Sequence, residues 1–371
     1  DLDFLNNRLS FSGDYYRRYT TDMYTPSISL PSVYGTTSPK GNNAELRTTG
    51  WELSLTWRDS FKLGGKPFDY SIKAMVWDNR TVVTKYENAT RSLGTLKGYI
   101  QNGGSPSDFY EGMELGEMWG YTVAGLFRDQ ADIDSSATHD FTQASDKVTR
   151  PGQVKIADLD GNGFIDPGNF AVDDHGDLRI IGNQSPRYRY GVNLSARWNG
   201  IGLSVFLQGV GARDWYPGSD AGMFWGKYGR PFFALIPSIH NYTDDMYSAE
   251  RNNWDTAYWP RMTTYQSNGT KNWTRLLEIP NTRYIQSAAY LRVKNIQLDY
   301  SFPKHICSAI RLQGLKIYVN AENLFTFTPL HKYAPNFDPE GLSYDSDFAS
   351  AADGYTYPIL KSVTVGVNIT F

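Results

Sequence analysis

The sequence predicts an all-β protein, an antiparallel barrel that spans a membrane, and three observations carry that prediction. The last ten residues alternate strictly. Ser362, Thr364, Gly366, Asn368 and Thr370 fall on one parity, and Val363, Val365, Val367, Ile369 and Phe371 on the other. About ten residues is the length of a strand that crosses a bilayer at a tilt. Second, the 371 residues include 26 Tyr, 19 Phe and 10 Trp, or 15% aromatic, yet contain no run near the roughly 18 apolar residues a spanning helix needs. Aromatic girdles, a polar lumen and long wet loops give this mixture in a barrel. Third, short and long connections between the strand-like segments alternate along the whole chain.

Taken in order, the period-two segments are a stub before Asn6, then Leu9 to Tyr16, Trp51 to Arg58, Phe68 to Val76 and Tyr188 to Trp198. They continue with Ile201 to Gly209, Ile296 to Phe302, Leu315 to Ala321 and the closing strand, about nine in all. Residues 6–7, 62–66, 199–200 and 303–313 make short or moderate turns rich in Asn, Gly and Pro. Residues 25–43, 84–187, 213–286 and 328–357 make long ones. Tight periplasmic turns with large external loops are the pattern of outer-membrane barrels. Residues 84–187 and 213–286 are therefore expected to be extracellular loops. An odd strand count with a truncated first strand leaves open edges, which lipid does not tolerate. The chain is expected to be the last nine strands or so of a larger barrel.

The remaining composition excludes several function classes. Net charge is −3, so no excess of basic residues suggests nucleic acid. A single cysteine, Cys307, rules out an intrachain disulfide framework. The five His residues are scattered without ligand spacing, and neither G-x-S-x-G nor H-E-x-x-H occurs. Glu111, Glu114 and Glu117 at three-residue steps read as a wet loop rather than a glycosidase acid pair. An enzyme is not expected.

Two constellations are candidate sites. Asp158, Asp160, Asn162, the carbonyl of Phe164 and Asp166 fall at positions 1, 3, 5, 7 and 9 of an EF-hand-like loop, with Gly163 at the turn. Hard oxygen ligands at that spacing suit Ca²⁺. Position 12 is Asn169 rather than Glu, so Asp173, Asp174 or Asp177 would supply the missing oxygen. The competing reading is a solvated acidic turn. The second constellation is the aromatic group Trp215, Tyr216, Trp225, Trp254, Trp259 and Trp273 in the 213–286 loop, whose rings suit stacking on sugars or anchoring a partner. Here the competing reading is that the rings pack the loop against itself.

An ordered series of motifs resembles SusC/RagA-type TonB-dependent outer-membrane transporters of Gram-negative bacteria. It runs from L-N-N-R-L at Leu5 and E-L-R-T-T-G-W-E at Glu45 through D-L-D-G-N-G-F-I-D at Asp158, I-G-N at Ile181 and P-R-Y-R-Y-G at Pro186. It continues with Y-L-R-V-K-N at Tyr290 and E-N-L-F at Glu322, and ends on Phe371, which the resemblance makes an assembly signal. The resemblance implies a barrel of about 22 strands with a plugged lumen. It also implies import of oligosaccharides or peptides, energy from TonB, and a SusD-like surface lipoprotein capping the barrel. The plug, the earlier strands and the TonB contact are expected outside these residues. The alternatives are a secreted calcium-dependent glycan-binding β-protein and an outer-membrane hydrolase.

Overall fold

The computed structural model describes residues 1–26, 35, 40–88, 91, 93, 109–139, 149–217, 221–225, 245–261, 280–342 and 359–371. One sheet contains nine strands: β1 (Leu2–Phe4), β2 (Leu9–Pro26), β3 (Lys40–Leu63), β4 (Lys66–Lys85), β9 (Arg187–Trp198), β10 (Ile201–Ala212), β13 (Tyr290–Ser301), β14 (Gly314–Phe327) and β15 (Ser362–Thr370). They lie side by side in chain order, and every neighbouring pair is antiparallel. Six short strands sit in the long connections: β5 (Glu117–Tyr121), β6 (Val123–Leu126), β7 (Val154–Ile156), β8 (Leu178–Asn183), β11 (Asp214–Trp215) and β12 (Gln286–Ser287). They pair as β5–β8, β6–β7 and β11–β12. All nine expected sheet strands are present in the expected order.

The register shows why the sheet has two faces. Following the ladder across all nine strands gives Phe4, Leu9, Trp57, Ile72, Leu194, Val205, Ile296, Ala321 and Val363, an unbroken apolar row. One residue away lies Arg58, Ser71, Ser195, Ser204, Gln297, Asn320 and Thr364, an unbroken polar row on the opposite face. The apolar face remains open to the surroundings, with Val363, Val365, Val367 and Ile369 all at least half exposed. A continuous apolar face of that width is the lipid side of a transmembrane barrel, and the polar face is its lumen. The outer strands β1 and β15 leave backbone groups that lipid cannot satisfy, so the sheet is a fragment of a larger closed barrel. Close packing across the lumen face is visible at Gly366, where an added Cβ would run into the ring of Tyr318 on the neighbouring strand.

Three strands are much longer than the alternation indicated. At 24 residues β3 extends about 80 Å, far beyond the 9–11 residues or so of a tilted crossing. Past Gly50 the β2–β3–β4 ladder carries polar residues on both faces, so alternation no longer marks it. Thr48 and Thr81 are joined there through their hydroxyls at 2.8 Å, and Thr48 is buried.

The long connections form one body of their own. Tyr121, Leu126 and Leu178 from the β4–β9 connection, Trp215, Phe224, Trp259 and Tyr284 from the β10–β13 connection, and Leu330 and Phe337 after β14 share one buried cluster. Ionic clamps tie this body to the strand ends. The guanidinium of Arg187 grips Asp78 of β4 at 2.5 and 2.6 Å and reaches Glu114 at 3.4 Å, and Arg80 also holds Glu114. Arg292 of β13, with its side chain only 3% exposed, bonds Asp338 and Glu340 at 2.5 Å each, while Lys294 adds a second bond to Glu340 at 3.0 Å. Residues 329–342 are thereby folded back onto the wall.

Two outcomes follow from this architecture. Val365→Arg places a charge on the lipid face and should cost about 2–4 kcal/mol, while Thr364→Arg on the lumen face should be far milder. Urea titration of the protein refolded into vesicles measures both, and equal costs would contradict the facing assigned to β15. Arg292→Leu leaves Asp338 without its ion pair while Lys294 still holds Glu340, and should cost about 1–3 kcal/mol. The loss should appear as faster amide exchange and proteolysis within residues 329–342, with the barrel strands unaffected.

Candidate functional site

The Asp158 loop joins β7 to β8 and owes its shape to side chains that bond their own backbone. The two Asp158 oxygens accept from the amides of Gly161 at 2.7 Å and Gly163 at 2.9 Å. Asp160 accepts from Asn162 N at 3.0 Å, and Asn162 Oδ1 accepts from Phe164 N at 2.7 Å. Gly161 and Gly163 have φ of 77° and 84°, a conformation in which a side chain would be strained. Amide donation, Gly163 first, holds the Asp158 carboxyl below the usual carboxylate range. It is therefore ionised at neutral pH.

Of the three carboxylates that the spacing left open, Asp177 is the one that lies beside Asp158 and Asp160. Oxygens of Asp158, Asp160 and Asp177 lie within 4.8 Å of one another. Asp177 is fully buried, accepting from Leu159 N at 2.6 Å and Asp166 N at 3.0 Å, so it closes the loop's base. Asp173 is engaged by Arg91 at 2.9 Å, and Asp174 by the amide of Asn169. Asp166 departs from the expected set. Its oxygens accept from Gly168 N at 2.7 Å and Asn162 Nδ2 at 3.0 Å, and it stands outside the carboxylate cluster. The Phe164 carbonyl is free of the short ladder that joins this loop to Thr138, because that ladder uses the carbonyls of Gly163 and Thr138.

The loop is braced from below, contrary to its polar look in the sequence. Ile165 is 3% exposed and belongs to the shared core. Buried His139, next to Thr138, accepts from Ile156 N through Nε2 at 2.9 Å while Nδ1 donates to the Ala137 carbonyl at 2.9 Å. Burial lowers the His139 pKa, which keeps the ring neutral and the acceptor available. Leu159 and Phe164 are exposed at the tip.

The loop aromatics are placed differently from the ligand-contact expectation. Trp215, Tyr216, Trp225 and Trp259 are at most 3% exposed and face one another and Phe224, Tyr284 and Phe337 at centroid distances of 4.8 to 6.2 Å. Trp254 is half-buried against the same cluster. Rings buried on each other have no face left for a sugar, so Trp215, Tyr216, Trp225 and Trp259 are part of the core of the loop body, with Trp254 partly exposed at its edge. Trp273 lies outside the described residues. Tyr258 and Tyr333 stack at 3.7 Å, joining the 213–286 connection to the segment after β14.

No family model matches the chain. Among curated proteins it is 26% identical over 378 residues to TonB-dependent receptor P3 of Formosa agariphila, a match covering 100% of this chain and 33% of that receptor. It is 24% identical over 392 residues to receptor P39 of the same organism, covering 100% and 35%. Among solved structures, the RagAB peptide transporter superposes with a TM-score of 0.62 at 18% identity over 99% of this chain and 33% of that one. The RagAB peptide importer in its closed-closed state gives 0.59 at 19%, over 99% and 34%. The chain thus spans about a third of the length of the proteins it matches, which are receptors and importers rather than enzymes. The chain is thus similar over its whole length to TonB-dependent receptors, and its nine-stranded sheet with one apolar and one polar face has the fold of part of an outer-membrane β-barrel of that kind.

Proposed function

We propose that the protein containing this chain imports a nutrient across the outer membrane, with these residues forming part of the barrel wall and an external loop body. The observation that carries this reading is the two-faced register. The apolar row seals the wall against lipid, and the row from Arg58 to Thr364 gives the lumen a hydrogen-bonding surface for a polar solute. The solute class is an oligosaccharide or a peptide. A SusD-like lipoprotein caps the loop body, and TonB supplies energy through parts of the protein outside these residues. Because the ring cluster is buried, the lipoprotein and ligand would meet exposed polar loop surface instead. A strain lacking the protein should lose energised uptake of fluorescent oligosaccharides or peptides that its parent accumulates, and regain it on complementation. Undiminished uptake of both classes would contradict the reading.

The Asp158 loop is proposed as a structural Ca²⁺ site. The donor chemistry fits: Asp158, Asp160 and Asp177 converge, Asn162 and the Phe164 carbonyl are adjacent, and every candidate donor is a hard oxygen. The cation would supply positive charge that relieves the carboxylates' mutual repulsion. Double replacement of Asp158 and Asp160 by Ala should raise protease sensitivity between residues 129 and 187 and leave the barrel's heat resistance nearly unchanged. Elemental analysis should find one calcium lost. Absence of calcium from the parent protein at millimolar supply would reject the site, and loss of uptake with the loop still protease-resistant would reject the structural role.

A further inference from the structure

We propose that the short-turn end of the sheet binds the phosphate headgroups of anionic phospholipids through a rim of cations set just beyond an aromatic girdle. The inference rests on the membrane-spanning reading of the sheet and adds a lipid class and a leaflet to it.

The charge distribution is the first observation. The short connections and the strand residues that flank them carry Arg8, Lys62, Lys66, Lys304 and Arg311. The chain as a whole carries 36 basic and 39 acidic residues, so the turns at this end are biased toward positive charge, while the nearby carboxylates Asp3, Asp59 and Asp69 sit within the strands. All five cations are exposed. Arg8 is partly compensated by Asp59 at 3.5 Å. Lys66 Nζ is held by a neutral group, Asn199 Oδ1, at 3.0 Å. Lys62, Lys304 and Arg311 form no ion pair among the described residues.

The girdle fixes the depth of these charges. Phe61, Phe68, Trp198 and, across Ile201, Tyr300 form one cross-strand row on the lipid face. Phe61 and Phe68 lie 5.0 Å apart, Tyr300 packs on Phe302 at 4.9 Å, and the Trp198 indole N–H donates to the Leu63 carbonyl at 3.0 Å. Rings of this kind mark the boundary between acyl chains and headgroups. Lys62 follows Phe61 by one residue, Lys66 precedes Phe68 by two, and Lys304 follows Phe302 by two. At roughly 3.3 Å per residue in extended chain, the cations sit a few ångströms beyond the rings, at the depth of lipid phosphates. Each Lys or Arg near an anionic surface strengthens binding about fivefold.

The test uses the full-length protein in detergent micelles doped with equal phosphatidylglycerol and phosphatidylcholine, with retained lipid read by mass spectrometry. Phosphatidylglycerol should be retained several-fold above its share. The combined Lys62→Gln, Lys66→Gln, Lys304→Gln and Arg311→Gln variant should fall to that share. A control with Lys40, Lys85, Arg128 and Arg251 changed to Gln removes equal charge away from the rim and should keep the enrichment, as should Lys→Arg replacement at the three rim lysines. Heat-modifiable gel migration checks that each variant retains its barrel. No enrichment in the parent, an unchanged rim variant, equal loss in the control, or displacement of the lipid by inorganic phosphate would each overturn the proposal. Release of the protein from membranes without detergent would instead refute the membrane-spanning reading beneath it.

Discussion

The structure depends on one constraint: a strand in lipid must satisfy every backbone polar group through its neighbours while presenting opposite chemistry on its two faces. Because side chains alternate with a period of two, only the correct register meets both demands, and a slip of one residue would move an entire apolar row into the lumen. The ladder that carries Phe4 through Leu194 to Val363 without a polar interruption is the outcome of that demand repeated strand after strand. Irregularities are placed where they do least harm to it. The shift between Phe206 and Leu207 in β10 and the one between Val293 and Asn295 in β13 lie toward the long-connection end, beyond the row that runs through Val205 and Ile296.

Beyond the bilayer the physics changes, and so does the architecture. Water can satisfy a backbone there, so the chain is free to leave the sheet, and three long connections condense around aromatic rings instead. A body made from separate loops needs fixing to the wall, and paired charges do this at Glu114, held by Arg80 and Arg187, and at Asp338, held by Arg292. Arg213 adds bonds to the carbonyls of Gln184, Pro339 and Leu342, bringing two connections to one guanidinium. Buried ion pairs are a poor source of net stability, because desolvation cancels much of the attraction. Their contribution here is positional, since an apolar contact would let the segment slide and a forked guanidinium does not.

What the sequence revealed follows the same division. In the membrane a local rule, alternation, has a global cause, so nine strands and their facing could be read from residues such as Val363 and Thr364 alone. Above the membrane no local rule distinguishes a ring that contacts a ligand from one that contacts another ring. Trp215 and Phe337, which meet at 5.0 Å, are separated by more than a hundred residues, and nothing near either announces the other. The extensions of β2 to β4 escaped notice because polar residues on both faces look like loop. At the Asp158 loop, spacing singles out Asp158 and Asp160, whose turn is local, but that Asp177, rather than Asp173 or Asp174, lies beside them depends on where the chain returns. Asp166, which the spacing also singles out, accepts from Gly168 and Asn162.

The central claim is that β14 and β15 present alternate residues to lipid and to a wet lumen. Spin labels placed one at a time along residues 315–321 and 363–369 of the full-length protein in bilayers, with collision rates to oxygen and to a water-soluble nickel chelate, test it directly. The account predicts a two-residue oscillation in both rates, opposite in phase, with oxygen maxima at Ile317, Val319, Val365 and Val367. Rates that rise and fall together, or that vary without a period of two, would contradict it.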